Sequence, residues 1–267
     1  MPTTRASTKK TTAAKATKAA APRMTLAQAL SALEKAGSAQ TRKTYARHGA
    51  IGPMFGVSFA TLKELTKRIG VDHELALALW QTGNLDARNL AVKIVDPARM
   101  ASADLDRWAK ESIASRTCGS YVGMVAAEGP HARRKAERWL EARAENVRCA
   151  GWSLVAHLAQ RDDAAPDTFF EPLLARIERG IHAAPNCERG NMNLALIAIG
   201  CRGAALRKAA TAAAKRVGRV EIDHGDTACK TPDAAATIEK AWAYATSKGS
   251  PSPAALERTR ETPRRRC

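Results

Sequence analysis

The chain has 267 residues and a formal net charge of +17, with 45% hydrophobic but only 4% aromatic residues. Alanine and leucine supply most of the apolar content, which favours closely packed helices. This composition argues against a β-sandwich, which prefers β-branched and aromatic residues. No apolar run approaches the roughly 20 residues that a membrane-spanning helix needs, so no membrane partner is expected.

The positive charge is not confined to the ends of the chain. Residues 1–23 carry +6 with no acid and residues 249–267 carry +3, which leaves +8 on residues 24–248. A surplus of cations on the folded part predicts a polyanionic partner, because counterions released from phosphates drive binding. We therefore expect a nucleic acid, with an acidic protein or a membrane surface as the alternatives.

The cysteines indicate a reducing compartment. None of the six lies in a CxxC pair, and no secretory segment precedes them, which is typical of free thiols in a cytoplasmic protein. There is also no phosphate-cradling glycine-rich loop, so no cofactor is expected. The cysteines are Cys118, Cys149, Cys187, Cys201, Cys229 and Cys267.

Three regions follow one another along the chain. Residues 1–23 are rich in Thr, Ala and Lys and have almost nothing to bury, which predicts a disordered basic tail. This arm either adds phosphate contacts or serves only to keep the protein in solution. We expect residues 24–248 to form a helical domain and residues 249–267 to form a second disordered basic tail.

The helical pattern begins at Met24 and continues through the domain. Thr25 and Gly37 mark the ends of the first helix, and Ser58 and Gly70 mark the ends of another. Only 219–223 (RVEID) alternates in the manner of a strand. Further helices are predicted at 73–84, 84–96, 103–115, 117–127, 130–142, 144–159, 168–183, 189–200, 203–217 and 233–246.

Short helices at near-even spacing predict stacked antiparallel pairs. The apparent period of about 35–45 residues is in the HEAT and armadillo range. We therefore predict an all-α fold, a HEAT/armadillo-like helical-repeat solenoid, with a compact irregular bundle as the alternative. A solenoid would offer a concave face, and basic residues along it would fit a DNA duplex.

Several segments carry a resemblance to known proteins. The more specific pieces are the FGVS turn that leads into a helix and the Leu-Trp and Asp-Ala-Arg helix pair. The other segments are 45–69, 75–97, 145–159 and 191–200. Together they resemble the DNA alkylation repair family, whose best-known members are alkylpurine DNA glycosylases built of HEAT-like repeats. Residues 220–234 look like a C-terminal loop of one branch of this family.

The resemblance implies a glycosylase site with four functional residues. An aromatic residue and an aspartate lie four apart on one helix, followed by an arginine and a second tryptophan on later helices. Aromatic faces attract the cationic alkylated purine, and a carboxylate stabilises the sugar cation that develops as the glycosidic bond breaks. The arginine holds a backbone phosphate.

This sequence departs from that pattern at three of the four positions. One register places Ser115 and Gly119 where the aromatic residue and the aspartate belong. A second register takes Trp108 as the aromatic residue, and Ser112 then stands four residues on. Neither register supplies a carboxylate, so the catalytic residues are unknown and an intact glycosylase site is not predicted.

Of the remaining two positions, one matches the family pattern and the other does not. The second tryptophan position falls near Leu194, which is not aromatic, whereas Arg148 matches the arginine position. Glu111 is the acid nearest to the expected aspartate, but it is out of place by about one residue. A carboxylate close to Arg148 would separate an enzyme from a non-catalytic scaffold that binds structured nucleic acid or an acidic protein.

Five residues are predicted to bind DNA. Arg148 lies on an otherwise apolar helix and is either paired with a core carboxylate or directed at a phosphate, and the basic chain favours the phosphate. Tyr121 lies on the helix of the expected site and is a candidate replacement aromatic residue. Arg116, Arg189 and Lys230 are candidates to join Arg148. The four residues Trp80, Trp108, Trp139 and Trp152 are interpreted as core residues rather than as base-stacking platforms.

One loop collects residue types that bind metals. Asp223, His224, Asp226 and Cys229 are close together in sequence, but their spacing matches no zinc pattern. We interpret the segment as a hydrogen-bonded loop before a helix and expect no metal site. The sequence therefore predicts a monomeric, cytoplasmic, nucleoid-associated protein that binds double-stranded DNA. Alkylpurine glycosylase activity is what the resemblance implies.

Overall fold

The structure is a computed structural model that describes residues 23–112 and 116–266, apart from the side chains of 116–118. The predicted N-terminal tail lies outside these residues except for Arg23. Within the described part every regular element is helical, so the all-α prediction is confirmed and 219–223 forms no strand. The first seven helices are α1 (Leu26–Ala36), α2 (Ala39–Arg47), α3 (Phe59–Ile69), α4 (His73–Gln81), α5 (Leu85–Ile94), α6 (Ser102–Glu111) and α7 (Arg116–Ala127).

The second half of the chain continues in the same way. The predicted caps are confirmed at Thr25, which forms a capping box, and at Ser58, whose hydroxyl accepts from the Thr61 N–H. The remaining helices are α8 (Ala132–Leu140), α9 (Glu145–Arg161), α10 (Asp167–Gly180), α11 (Asn186–Gly200), α12 (Ala204–Val217), α13 (Ala234–Ser247), α14 (Pro253–Arg258) and α15 (Pro263–Arg266).

The helices form a central row with flanking helices packed against it. Helices α5, α7, α9, α11 and α13 each pack on the next and form the central row, while α4, α6, α8, α10 and α12 flank it. At Gly123 in α7, an added β-carbon would lie 2.6 Å from the Ala150 carbonyl oxygen of α9. Backbones that approach this closely require a glycine, and they place α9 at the centre of the row.

The core interpretation of the tryptophans is confirmed. Trp80, Trp108, Trp139 and Trp152 are at most 1% exposed, and the first two stack with ring centroids 4.2 Å apart. Three of the four indole N–H groups donate to carboxylates, as expected for buried indoles. These rings therefore hold the helices together and are not available to stack on bases.

The two segments that carry the family resemblance are joined to each other. The Asp86 side chain at the start of α5 is fully buried and accepts hydrogen bonds from the backbone N–H groups of Phe55, Gly56 and Val57, at 2.7, 2.9 and 2.9 Å. Three donors on one carboxylate fix the turn that precedes α3. The FGVS turn is thereby anchored to the helix that carries Asp-Ala-Arg.

The C-terminal segment corrects the prediction of a disordered tail at 249–267. It forms α14 and α15, which run along the ends of the central-row helices, and the Ala254 N–H donates to the Cys201 carbonyl beyond α11 at 3.1 Å. Arg258 donates to the Gln160 carbonyl in the last turn of α9. Residues 253–266 therefore pack on the helices of the central row.

Arg264 joins this segment to the rest of the fold by three hydrogen bonds. Its side chain is 4% exposed, with Nε 2.9 Å from the carboxylate of Glu128 and Nη1 2.8 and 3.0 Å from the carbonyls of Val92 and Lys93. The last carbonyls of a helix carry partial negative charge and lack intrahelical partners, so an arginine binds there. Composition alone could not reveal these partners, because they lie in α5 and just beyond α7.

Candidate nucleic-acid interface

An arginine occupies the fourth position of three central-row helices. These are Arg88 in α5, Arg148 in α9 and Arg189 in α11. Each donates to backbone carbonyls at or just beyond the end of a flanking helix, where the helix dipole is negative. The shared position and shared partners indicate a repeated structural contact, which brings Arg148 and Arg189 to the same end of neighbouring helices.

Arg148 has a carboxylate partner as well. Its Nε lies 2.8 Å from a carboxylate oxygen of Glu188, and its Nη1 donates to the carbonyls of Ala142 and Arg143 at 2.9 and 2.7 Å. Of the two roles considered from the sequence, the ion pair is therefore present in the structure. Nη2 of Arg148 makes no hydrogen bond to any described residue, and the side chain is 21% exposed.

The carboxylate of Glu188 is occupied from two sides. Besides Arg148 it accepts from the indole Nε1 of Trp152 at 3.3 Å, and its side chain is only 9% exposed. A carboxylate that stabilises a developing sugar cation has to face the substrate. Glu188 instead joins α9 to α11, so the carboxylate found beside Arg148 does not support an excision site.

Residues from both registers considered for catalysis lie at one buried junction, between α6 and α7. Trp108 is fully buried, and the hydroxyl of Ser112 donates to the Ala109 carbonyl at 2.8 Å. Gly119 faces this hydroxyl, because a β-carbon added there would lie 3.3 Å from Ser112 Oγ. Ser115 lies outside the described residues. An aspartate at position 119 would thus point into the junction of α6 with α7.

Tyr121 is also part of the packing. Its side chain is 6% exposed, with the Lys93 ammonium 4.8 Å from its ring centroid and the ring of Phe59 6.4 Å away. The Lys93 ammonium on α5 therefore covers one face of this ring. Arg116 is the first residue of α7, but its side chain is not among those that the structure describes.

The loop at 218–233 is held by hydrogen bonds, as the sequence suggested. The Asn186 side chain bonds the backbone of Asp223 in both directions at 2.8 Å, and His224 Nε2 lies 3.0 Å from the Thr231 hydroxyl. No group of three or more potential metal ligands occurs among the described residues. Lys230 is exposed on this loop.

This loop closes a cavity of about 350 Å³ against α7 and α11. Asn191 and the half-exposed Leu194 of α11 line it, together with Cys187. A hydrogen bond to Cys187 and burial raise the pKa of the neighbouring Cys149 thiol. Cys149 is therefore a protonated thiol rather than a nucleophile.

The N-terminal helices carry a basic surface that sequence reasoning missed. From residue 35 to residue 63 the chain has no acid, and α2 presents Lys43 and Arg47 exposed and four residues apart, on one helix face. Neither cation forms an ion pair with a described residue. We call this acid-free stretch the α1–α3 basic surface; besides Lys43 and Arg47, which share a helix face, the stretch contains Lys35, Arg42 and Lys63. The signal was present as a run without Asp or Glu.

The basic surface and the loop meet. A β-carbon added to Gly225 would lie 2.9 Å from the Arg47 carbonyl oxygen at the end of α2. The 218–233 loop therefore reaches from α11 to α2.

No described helix is both long and apolar enough to traverse a lipid bilayer.

Comparisons with known proteins agree with this architecture. A solved structure from a new family of proteins related to the HEAT-like repeat DNA glycosylases with affinity for branched DNA structures is 29% identical, with a TM-score of 0.74 over 85% of this chain and 96% of that one. The predicted HEAT-like repeat fold is therefore confirmed.

Two curated relatives come from Listeria. The uncharacterized protein Lin0241 of Listeria innocua is 28% identical over 209 residues, and Lmo0209 of Listeria monocytogenes is 29% identical over 210 residues. Each match covers 75% of this chain and 90% of the relative. The family model of DNA alkylation repair enzymes matches residues 29–234. With most of its length matched, the chain belongs to the DNA alkylation repair enzyme family.

Proposed function

We propose that this protein binds double-stranded DNA, including branched DNA, through phosphate contacts and does not excise bases. The observation that carries the proposal is the α1–α3 basic surface, whose cations are not neutralised by described acids. A solved relative has affinity for branched DNA structures, which supports the same partner class. We expect the protein to act in the cytoplasm in association with the nucleoid, as the sequence suggests.

The absence of excision is proposed from the geometry around Arg148. Its carboxylate neighbour Glu188 is buried and paired, and both catalytic registers end at the α6–α7 junction, with Ser112 and Gly119. Without an exposed carboxylate, the sugar cation loses an electrostatic stabilisation worth about 3–4 kcal/mol, or two to three orders of magnitude in rate.

The residues predicted to contact DNA differ in how many of their side-chain donors are already used within the protein. Lys230 is exposed, and Arg148 keeps Nη2 for a phosphate oxygen, so both remain proposed contacts. Arg189 uses Nε, Nη1 and Nη2 on the carbonyls of Ala184 and Glu221, and we assign it to positioning the loop rather than to DNA. Phosphate contacts from the basic surface supply the larger share of affinity in this proposal.

Fluorescence anisotropy with a four-way junction and a linear duplex, across a salt series, tests the binding. Each phosphate contact contributes a slope of about −0.9 to the plot of log affinity against log salt. Reversing two charges with Lys43→Glu and Arg47→Glu removes two contacts, so the slope becomes shallower by about 1.8 and the affinity falls at least tenfold.

The matched control is Lys208→Glu with Lys215→Glu, which makes the same charge change on two exposed lysines of the flanking helix α12. This control should leave the slope within about 0.5 of the wild-type value. Affinity that does not depend on salt, or an equal loss in both double variants, overturns the proposed surface. Release of 7-methylguanine from duplex DNA well above spontaneous loss overturns the proposal that no base is excised.

A further inference from the structure

A small cavity lies beside the α1–α3 basic surface. It has a volume of about 290 Å³ and lies between α2, the start of α3 and α5. Tyr45 and Phe59 form two of its walls, the buried residues Leu85 and Asn89 come from α5, and Ala50 lies in the turn after α2. This volume is at the lower end for ligand sites, which suits a single ring system.

The aromatic walls are fixed in place by their own contacts. The Tyr45 hydroxyl donates to the Val57 carbonyl, and the rings of Tyr45 and Phe59 lie 5.9 Å apart. Burial, with a smaller contribution from Asp86, raises the pKa of Tyr45, so the phenol stays neutral. Both residues remain partly exposed, in contrast to the tryptophans of the core.

Asn89 adds a polar group that lacks a partner. Its side chain is 2% exposed and lines the cavity, yet its Oδ1 accepts no hydrogen bond from any described residue. Leaving a buried acceptor unsatisfied is unfavourable, so such a group indicates a ligand or a bound water. The terminal torsion of an asparagine is roughly two-fold, so a rotation of about 180° exchanges the amide oxygen and the NH2 group.

The surroundings select the charge of the occupant. The cavity is built largely from the part of the chain that has no acid between residues 35 and 63, and the exposed His48 lies at its edge. Lys43 and Arg47 lie on the same helix as Tyr45. An aromatic, hydrogen-bonding molecule attached to phosphates is therefore the complementary ligand.

We infer that this cavity receives one unpaired base of bound DNA, which stacks on Tyr45 or Phe59 and bonds to Asn89. The inference rests on the proposed DNA binding and adds the substrate feature that is recognised. Extruding a base costs least where it is already unpaired, as it is at branch points and bulges. Stacking on aromatic side chains tolerates any of the four bases.

The test compares three duplexes with the same sequence. One is fully paired, one carries a single unpaired base, and one carries an abasic residue at that position, which keeps the backbone bulge but removes the base. We expect the wild-type protein to bind the base bulge about tenfold more tightly than the abasic bulge. Equal affinity for the two bulges overturns the inference, even when all three duplexes are bound.

The cavity itself is tested by Ala50→Leu, which fills it without changing any charge. This variant should bind the two bulges equally while its affinity for the paired duplex stays at the wild-type value. Ala205→Leu, at an exposed alanine of α12, is the control and should keep the tenfold difference. Retention of the difference in Ala50→Leu overturns the assignment of this cavity.

Asn89→Leu separates recognition from folding. Because the leucine removes an unpartnered acceptor, its unfolding midpoint should be no lower than that of the wild type, while the preference for the base bulge falls at least threefold. A preference that stays unchanged overturns the role of Asn89. Competition with free nucleoside monophosphates identifies the source of the base: displacement of bulged DNA at millimolar concentration assigns the cavity to free nucleotides instead.

If no duplex is bound at all, the proposed function fails, because paired DNA is then not held either. If paired and bulged duplexes are bound alike, only the cavity inference fails. The two failures are therefore distinguishable in the same titration.

Discussion

Replacement of Arg148 by alanine should destabilise the fold by about 3 kcal/mol. The change removes an ion pair to Glu188 and hydrogen bonds to two carbonyls, of which the carboxylate is the costliest to leave behind because it is 9% exposed. Breaking a fully buried pair costs about 3–5 kcal/mol. Arg148 is 21% exposed, so water can reach the vacated carbonyls and the lower end of that range applies.

Denaturant unfolding followed by circular dichroism measures this loss. The neighbouring Arg143→Ala, which removes an exposed arginine from the turn before α9, should change the free energy of unfolding by less than about 0.5 kcal/mol. Adding Glu188→Gln to Arg148→Ala should recover about 1 kcal/mol, because the neutral amide needs no cation and still accepts from Trp152.

The opposite pattern would refute this reasoning. If Arg148→Ala unfolds at the wild-type midpoint while its DNA affinity falls more than tenfold, the residue holds a phosphate and its contacts to Glu188 and the carbonyls are incidental. A loss of both stability and affinity is resolved by the double variant, which recovers part of the stability but no phosphate contact.

Three further predictions concern other parts of the fold. Gly119→Asp should lower the unfolding midpoint without raising base release, because its β-carbon meets Ser112 Oγ at 3.3 Å; release above the wild-type rate would contradict this. Arg264→Ala should cost about 3 kcal/mol in urea unfolding, whereas Arg260→Ala, at an exposed site, should cost less than about 1 kcal/mol; equal effects would argue against the docked tail. Burial, aided by Arg161, lowers the pKa of His157 to about 4, so the unfolded state takes up its proton first and stability falls by about 2–3 kcal/mol between pH 6.5 and pH 4; His157→Gln should flatten this part of the pH profile.

The helices were predictable where local signals agree. The Thr25 cap, the Ser58 cap and the apolar spacing of Leu62, Leu65 and Ile69 are properties of neighbouring residues, and the predicted helices near 58–70 and 203–217 occur within a few residues of their expected ends. Helix α2 was not singled out because it buries no residue and so has no apolar periodicity.

The site was less predictable because its partners are distant in sequence. Arg148 was interpreted as a phosphate ligand, since nothing near it in the chain reveals Glu188, 40 residues later. The same limit applies to Arg264, whose acceptors lie 136 and more residues earlier. The positive charge of the N-terminal helices, in contrast, was predictable. The acid-free run from 35 to 63 is visible in the sequence, and the structure was needed only to show that three of its five cations lie on the short helix α2.

The docked C-terminal segment changes how this repeat protein should fold. In an array whose units touch only their neighbours, stability is nearly a sum of local parts and one end can fray alone. Here Lys93 donates to the Arg264 carbonyl across 171 residues, so the first helices of the row and the last residues of the chain are coupled. Closure of so long a loop raises the contact order and slows folding. During synthesis the contacts of α5 with this segment therefore form only after residues 263–266 have left the ribosome, and unfolding should be a single cooperative event.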